Sequence, residues 1–201
     1  MRIVIGTLFV MAAVAHPIPL AAQGSVDLPK IVARSKPGAA HAALRPLVGT
    51  WRVEKRVFNA LGTPDKPARS MGMTTRREWT PGGYFLRDVT KGAINGAPYE
   101  RTGFLGYNPI DRRYEWNTVD NVTPIMMTYH GANASGAALP IDMAGMFTDI
   151  GVTGESNVGK PIATRTRVTI IDADHHRFEI FFTPPGGVEQ LADRMDFTRV
   201  R

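Results

Sequence analysis

Residues 103–120 read "GFLGYNPIDRRYEWNTVD". After the turn-forming "NPID" at 108–111, Tyr114, Trp116, Thr118 and Asp120 fall at alternate positions, with Glu115, Asn117 and Val119 between them. A period of two places one set on one face of a strand and the second set on the other. A run ending at 107, a turn, and a run from 112 to 120 therefore make an antiparallel hairpin.

The same grammar extends in both directions. Trp51, Val53 and Val57 share a face, with Lys55 intruding among them. Met71, Met73, Thr75, Arg77 and Trp79 form the next row. Further alternating runs lie near 84–91, 98–107, 124–131, 138–147, 161–172, 176–183 and 187–199. Between them stand "PGG" at 81–83, "NG" at 95–96, "NASG" at 133–136, "DADHH" at 172–176 and "PPGG" at 184–187. These residues accept positive φ or preset a turn, so consecutive strands should pair antiparallel. About ten strands without a long helical pattern predict an all-β fold, either an up-and-down barrel or a two-sheet sandwich. The barrel is preferred because closure removes exposed strand edges. His41 to Val48 predicts a short helix ahead of the first strand, and the Gly-rich stretch from Gly145 to Pro161 a long loop over one barrel mouth.

The chain opens with Met1-Arg2, an apolar run from Ile3 to Ala15 and the small residues Ala21-Ala22. This is the pattern of a secretory signal over 1–22, with cleavage after Ala15 or Ala22, and it predicts a periplasmic or secreted protein. Residues 23–40, broken by Pro29, Pro37 and Gly38, read as a flexible tether to a domain spanning 41–201. About 180 residues suffice for one substantial core, which must form without disulfides because the chain has no cysteine. Loss of Arg2 lowers the formal charge from +6 to +5. The arginines are scattered rather than gathered in a stripe with stacking aromatics, which argues against a nucleic-acid partner. No second apolar run is long enough to span a membrane once the leader is gone.

"HAALRPLVGTW" at 41–51, "GGYFLRD" at 82–88, the hairpin quoted above and "MDFTR" at 195–199 together resemble the bacterial family catalogued as domain of unknown function 1579. The resemblance covers roughly residues 41 to 199. It implies a calycin-like barrel related in shape to lipocalins and nitrobindin, with no established activity. Two departures stand out: Asn108 where the family commonly has Asp, and a longer stretch around 145–160. Gly49-Thr50-Trp51 is also similar to the Gly-x-Trp of lipocalin first strands. That likeness implies a structural pair in which Arg199 covers Trp51 at one barrel end.

Most catalytic signatures fail on inspection. "GESNVGKP" at 154–161 is near a phosphate-binding loop but puts Pro161 where a hydroxyl is needed. No cysteine or well-placed serine offers a nucleophile. His175 and His176 sit at a hairpin tip and point apart, so no metal is expected; haem finds only His130 on a strand, facing away from Ile125, Met127 and Tyr129. No cofactor is predicted.

Arg77 and Asp120 remain, each on the apolar row of its strand. They could touch water at the rims, pair with each other or with other buried polar groups, or meet the polar head of a ligand. Methionines 71, 73, 127, 143, 146 and 195 could line a deformable cavity or fill the barrel. A ten-strand barrel is wide enough that side chains alone need not fill it. The leading expectation is thus a small hydrophobic or amphipathic ligand held by Met73, Arg77, Trp79, Tyr114, Trp116, Asp120, Met127, Tyr129, Phe178 and Phe182. The alternative is an acid–base enzyme, with Asp120 as base and Arg77 or Tyr114 stabilising developing negative charge. A third possibility is an envelope interaction module that uses the barrel as scaffold.

Overall fold

The computed structural model describes residues 27–201. The expected leader lies outside the described residues. Helix α1 (Leu28–Ser35) occupies part of the segment read as a tether. Asp27 caps it by accepting from the Lys30 amide, Pro29 sits in the first turn where its missing N–H is not needed, and none of its residues is buried. Helix α2 (Ala39–Ala42) and a 3-10 turn (Arg45–Leu47) follow where a short helix was expected.

Ten strands come next: β1 (Gly49–Val57), β2 (Ala68–Trp79), β3 (Phe85–Ile94), β4 (Ala97–Asn108), β5 (Arg113–Asp120), β6 (Met127–His130), β7 (Ile141–Thr148), β8 (Pro161–Ile170), β9 (His175–Thr183) and β10 (Gln190–Arg199). Each pairs antiparallel with its sequence neighbour, and β10 returns to β1 with Trp51 opposite Arg199. The sheet is an up-and-down closed barrel with no free edge, as the alternation predicts. The turn residues act as their chemistry requires. Asn95 and Gly96 both take positive φ between Ile94 and Ala97, the two-residue hairpin that suits twisted strands. Asn108 Oδ1 accepts from the amides of Ile110 and Asp111 at 3.0 Å, fixing the turn on which the opening hairpin depends.

Up-and-down topology sends alternate connections to opposite ends. One end is plugged: α2 and the 3-10 turn carry buried His41, Leu44 and Leu47, and the Tyr114 hydroxyl donates to the Ala40 carbonyl at 3.0 Å. The other end is ringed by the β1–β2, β5–β6, β7–β8 and β9–β10 loops. Within the expected Gly145–Pro161 loop, β7 continues to Thr148, and residues 149–160 form a shorter loop tied down by Asp149. That buried carboxylate accepts from the amides of Gly151 and Val152 at 2.7 Å and also from Thr153.

The barrel is wide, yet its middle is solid. Trp116, Arg77, Tyr129, Phe178 and Phe197 are fully buried there, and Trp51 and Tyr114 are fully buried toward the plug. An irregularity in β2 and the plain alternation of β7 decide which methionines enter. A register shift between Met71 and Thr74, where Gly72 takes a positive φ of 57°, turns Met71 out to 64% exposure while Met73 stays at 1%. Met146 also faces out, because β7 buries Ile141, Met143 and Phe147 instead. Of the six methionines considered for the interior, Met71 and Met146 are therefore corrected to the outer surface.

Candidate functional site

Three tiers of polar chemistry cross the barrel from the plugged end to the open one. In the first, Arg199 spreads over Trp51, guanidinium to ring 4.1 Å, and donates to the carbonyls of Val48, Pro46 and Ala173 at 2.8, 2.8 and 2.9 Å. The Trp51 indole N–H donates to the Leu47 carbonyl at 2.9 Å. The pair is where the Gly-x-Trp likeness implies. The Arg199 Nε also lies 3.4 Å from the Asp174 carboxylate, so the pair is held by backbone carbonyls, a ring and one acid of the same chain.

The second tier is a buried charge cluster. Arg77 lies over the adjoining rings of Phe178 and Phe197, at 4.6 and 4.5 Å. Its Nη1 donates to His176 Nε2, and its Nε is 3.6 Å from Asp88. Arg101 reaches the same carboxylate oxygen at 3.3 Å and also donates to Thr90 Oγ1 and to the Met195 sulfur. Burial, with Arg101 nearby, pulls Arg77 down to about 10 against the pull of Asp88, which still leaves a cation at neutral pH. His176 is pushed far below the ordinary histidine range by burial and then by the positive charges of Arg77 and Arg199. It is therefore neutral, and its accepting Nε2 places the proton on Nδ1. Of the three explanations open for Arg77, pairing with other buried polar groups is the one observed, and the partners are Asp88 and His176 rather than Asp120.

Above this cluster Gly103 faces inward, where a Cβ would come within 2.9 Å of both Asp88 Oδ1 and Trp116 Nε1. Those two atoms have no hydrogen-bond partner among the described residues.

The third tier is a cavity of about 100 Å³ at the open end. Val57, Ile94, Met127, Phe147, Ile180 and Phe182 form its apolar wall, and Leu61, Val122 and Val152 reach in from three loops. Lys55, Tyr99, Asp193 and Asp120, with Asn59 and Thr123, supply the polar groups. Lys55, 5% exposed, is hydrogen-bonded to Asp193 Oδ2 and lies 5.3 Å from the Tyr99 ring centre. Burial works against the Lys55 ammonium, but the Asp193 carboxylate more than offsets it and holds the lysine above its ordinary range. Asp120 Oδ1 accepts from the amides of Val122 and Thr123 and from the Thr123 hydroxyl, at 2.9, 2.7 and 2.7 Å, which shapes the loop at the mouth.

Of the ten residues read as ligand contacts, Asp120, Met127 and Phe182 line this cavity. Met73, Tyr114, Trp116, Tyr129 and Phe178 are buried in the core, Arg77 lies in the charge cluster, and Trp79 is partly buried against the core. The structure does not bring together the three groups of the acid–base alternative. Asp120 is at the open mouth, Arg77 is sealed in the middle, and the Tyr114 hydroxyl is bonded at the plugged end. Lys55, Tyr99, Asp193 and Ile180 were not anticipated. A signal existed for two of them: Lys55 interrupts the apolar row of β1, and Asp193 stands in phase with Met195 and Phe197 on β10. His176 was missed as well, since a hairpin-tip reading fits only its exposed neighbour His175.

No three His, Cys, Asp or Glu side chains among the described residues are grouped to hold a metal ion, and no helix among them is long and apolar enough to cross a membrane.

Similar barrels occur among solved structures. The crystal structure of Rv2717c from M. tuberculosis aligns with a TM-score of 0.52 at 18% identity, over 82% of this chain and 99% of that one. The S-type phycobiliprotein lyase CPES from Guillardia theta aligns with a TM-score of 0.46 at 10% identity, over 88% and 99% of the two chains. At such identities the likeness to Rv2717c concerns the fold. No curated protein matches the sequence. A family signature spans residues 36–199, nearly the whole barrel and its plug, and this chain belongs to that family, described as protein of unknown function DUF1579.

Proposed function

We propose that this chain is an exported barrel that binds a small, largely hydrophobic or amphipathic molecule at its open end. The observation that carries the reading is the apolar cavity with a polar floor at the open end, above a core of buried aromatic side chains. An apolar recess over a few fixed polar groups is the usual form of a small-molecule site. Cavities on the order of 150 Å³ take a benzene-sized molecule. The ligand therefore places a ring or short chain inside and leaves any longer part at the loops.

Native mass spectrometry of the purified protein, with solvent extraction of what it carries, tests the binding. A bound species of defined mass is expected, and it should be absent from Ile180→Trp, which fills the cavity. Identical spectra for the two proteins, with nothing bound, would end this reading. The export half is checked by N-terminal sequencing of protein from the envelope fraction, which should begin at His16 or Gln23.

A further inference from the structure

The cavity's polar groups also bear on the kind of head group it takes, an argument that rests on the binding reading above. Three charged residues line the cavity: Lys55, Asp120 and Asp193. Lys55 is already paired with Asp193, and Asp120 Oδ1 is filled by three donors from its own loop. Beneath them, Arg77 and Arg101 share the single carboxylate of Asp88. The two layers together hold three cations and three carboxylates, so the site as a whole carries no charge to spare for an ion.

Within the cavity layer itself the carboxylates outnumber the ammonium, which disfavours a ligand carboxylate placed beside them. A ligand ammonium would gain Asp120 and Asp193 but would lie next to Lys55, and it would lose its hydration in an apolar recess, which is far more costly than desolvating a hydroxyl. One demand is left unmet. Asp193 gives Oδ2 to Lys55, while its Oδ1 is buried with no hydrogen-bond partner among the described residues. A buried charged acceptor without a donor is costly, and a donor supplied there gains a charge-assisted hydrogen bond. Tyr99, kept a neutral phenol by burial, also lines the cavity.

We infer that the cavity selects a neutral molecule whose polar end is a hydrogen-bond donor, an alcohol in the simplest case, which donates to the under-bonded Asp193 carboxylate. Carboxylic acids of the same chain length are discriminated against. The wall fixes the apolar part and the floor fixes the hydroxyl, so the two halves of the recognition separate experimentally.

The test compares 1-octanol, octanoate and octylamine at pH 7 by calorimetry, with the Met127 methyl resonance reporting occupancy of the cavity. Octanol is expected to bind at least tenfold tighter than either ion. In the double variant Lys55→Met, Asp193→Leu, which keeps the apolar wall and removes the floor, its advantage over octane should fall to within about twofold. Octanoate or octylamine binding as tightly as octanol, with Met127 shifted, would overturn the inference while leaving the cavity as a binding site. An octanol advantage that survives intact in the double variant would overturn it too. If none of the three moves the Met127 resonance, the binding reading fails, and the inference with it.

Discussion

The guanidinium of Arg199 lies 4.1 Å from the ring of Trp51, so the last strand covers the first at the closing seam of the barrel. The same side chain donates to three backbone carbonyls from the 3-10 turn and the β8–β9 turn. It therefore ties plug, seam and hairpin together through one planar group. Close by, Gly49 takes a φ of 130°, and a Cβ there would come within 2.7 Å of Arg199 Nη1.

Replacing Arg199 by Ala removes a cation–π contact of about 0.5–2 kcal/mol and several charge-assisted hydrogen bonds. A loss of roughly 2–4 kcal/mol in urea unfolding is expected. Arg199→Lys should recover less than half of it, because an ammonium cannot reach three carbonyls in one plane. A change within about 0.5 kcal/mol for the alanine variant would show that the seam holds without this residue.

Buried Lys55 and largely buried Asp193 form an ion pair between strands far apart in sequence. Asp193→Ala leaves an ammonium uncompensated and should cost about 3–5 kcal/mol. The double variant Lys55→Met, Asp193→Leu should be about as stable as the parent or more so, since apolar replacement of a whole buried pair relieves its desolvation cost. Chemical denaturation of the three variants decides the matter. Additive losses in the double variant would contradict it.

His176 is held neutral in the fold by burial and by the nearby cations. Its folded pKa lies below its unfolded value near 6.5, so the unfolded chain binds the proton first as pH falls. The stability it contributes is complete above about pH 6.5 and declines below that by about 1.4 kcal/mol per pH unit. His41, also lowered by burial, adds a slope of the same sign. Between pH 6.5 and 5, the unfolding free energy of His176→Phe should therefore fall less steeply than that of the parent by about one proton's worth. Equal slopes would mean that His176 is protonated inside the barrel.

Gly103 sits where a methyl group would press on Asp88, Trp116 and the Asn117 carbonyl, all within 3.0 Å of the added carbon. Gly103→Ala should cost about 1–3 kcal/mol through overpacking. Gly96→Ala, at an open turn with nothing within 4 Å, provides a control in which only positive-φ strain acts. Thermal melts of the two would separate crowding from strain, and an unchanged melt for Gly103→Ala would mean that the charge cluster yields to a methyl group.

Much of the candidate site was hidden because side-chain phase along a strand is readable only until something resets it. The row Met71, Met73, Thr75, Arg77 looks unbroken in sequence, but the irregularity at Gly72 leaves Met71 outside. Arg77 and Asp120 stand out in the sequence as charges on apolar rows. Nothing local could say that Arg77 would meet His176, 99 residues away, or that Asp120 would spend three hydrogen bonds on its own turn.

The sequence by itself determined the order of strands and turns, their antiparallel pairing and the family, because period-two patterning and positive-φ turn residues act over a few neighbouring positions. Tertiary structure alone decided where the interior is full and where it is hollow. Lys55 meets Asp193 across 138 residues, and the aromatic side chains that fill the middle come from strands all around the barrel. Whether such groups leave space depends on the sum of their volumes at one height of the barrel, a quantity that no stretch of chain contains.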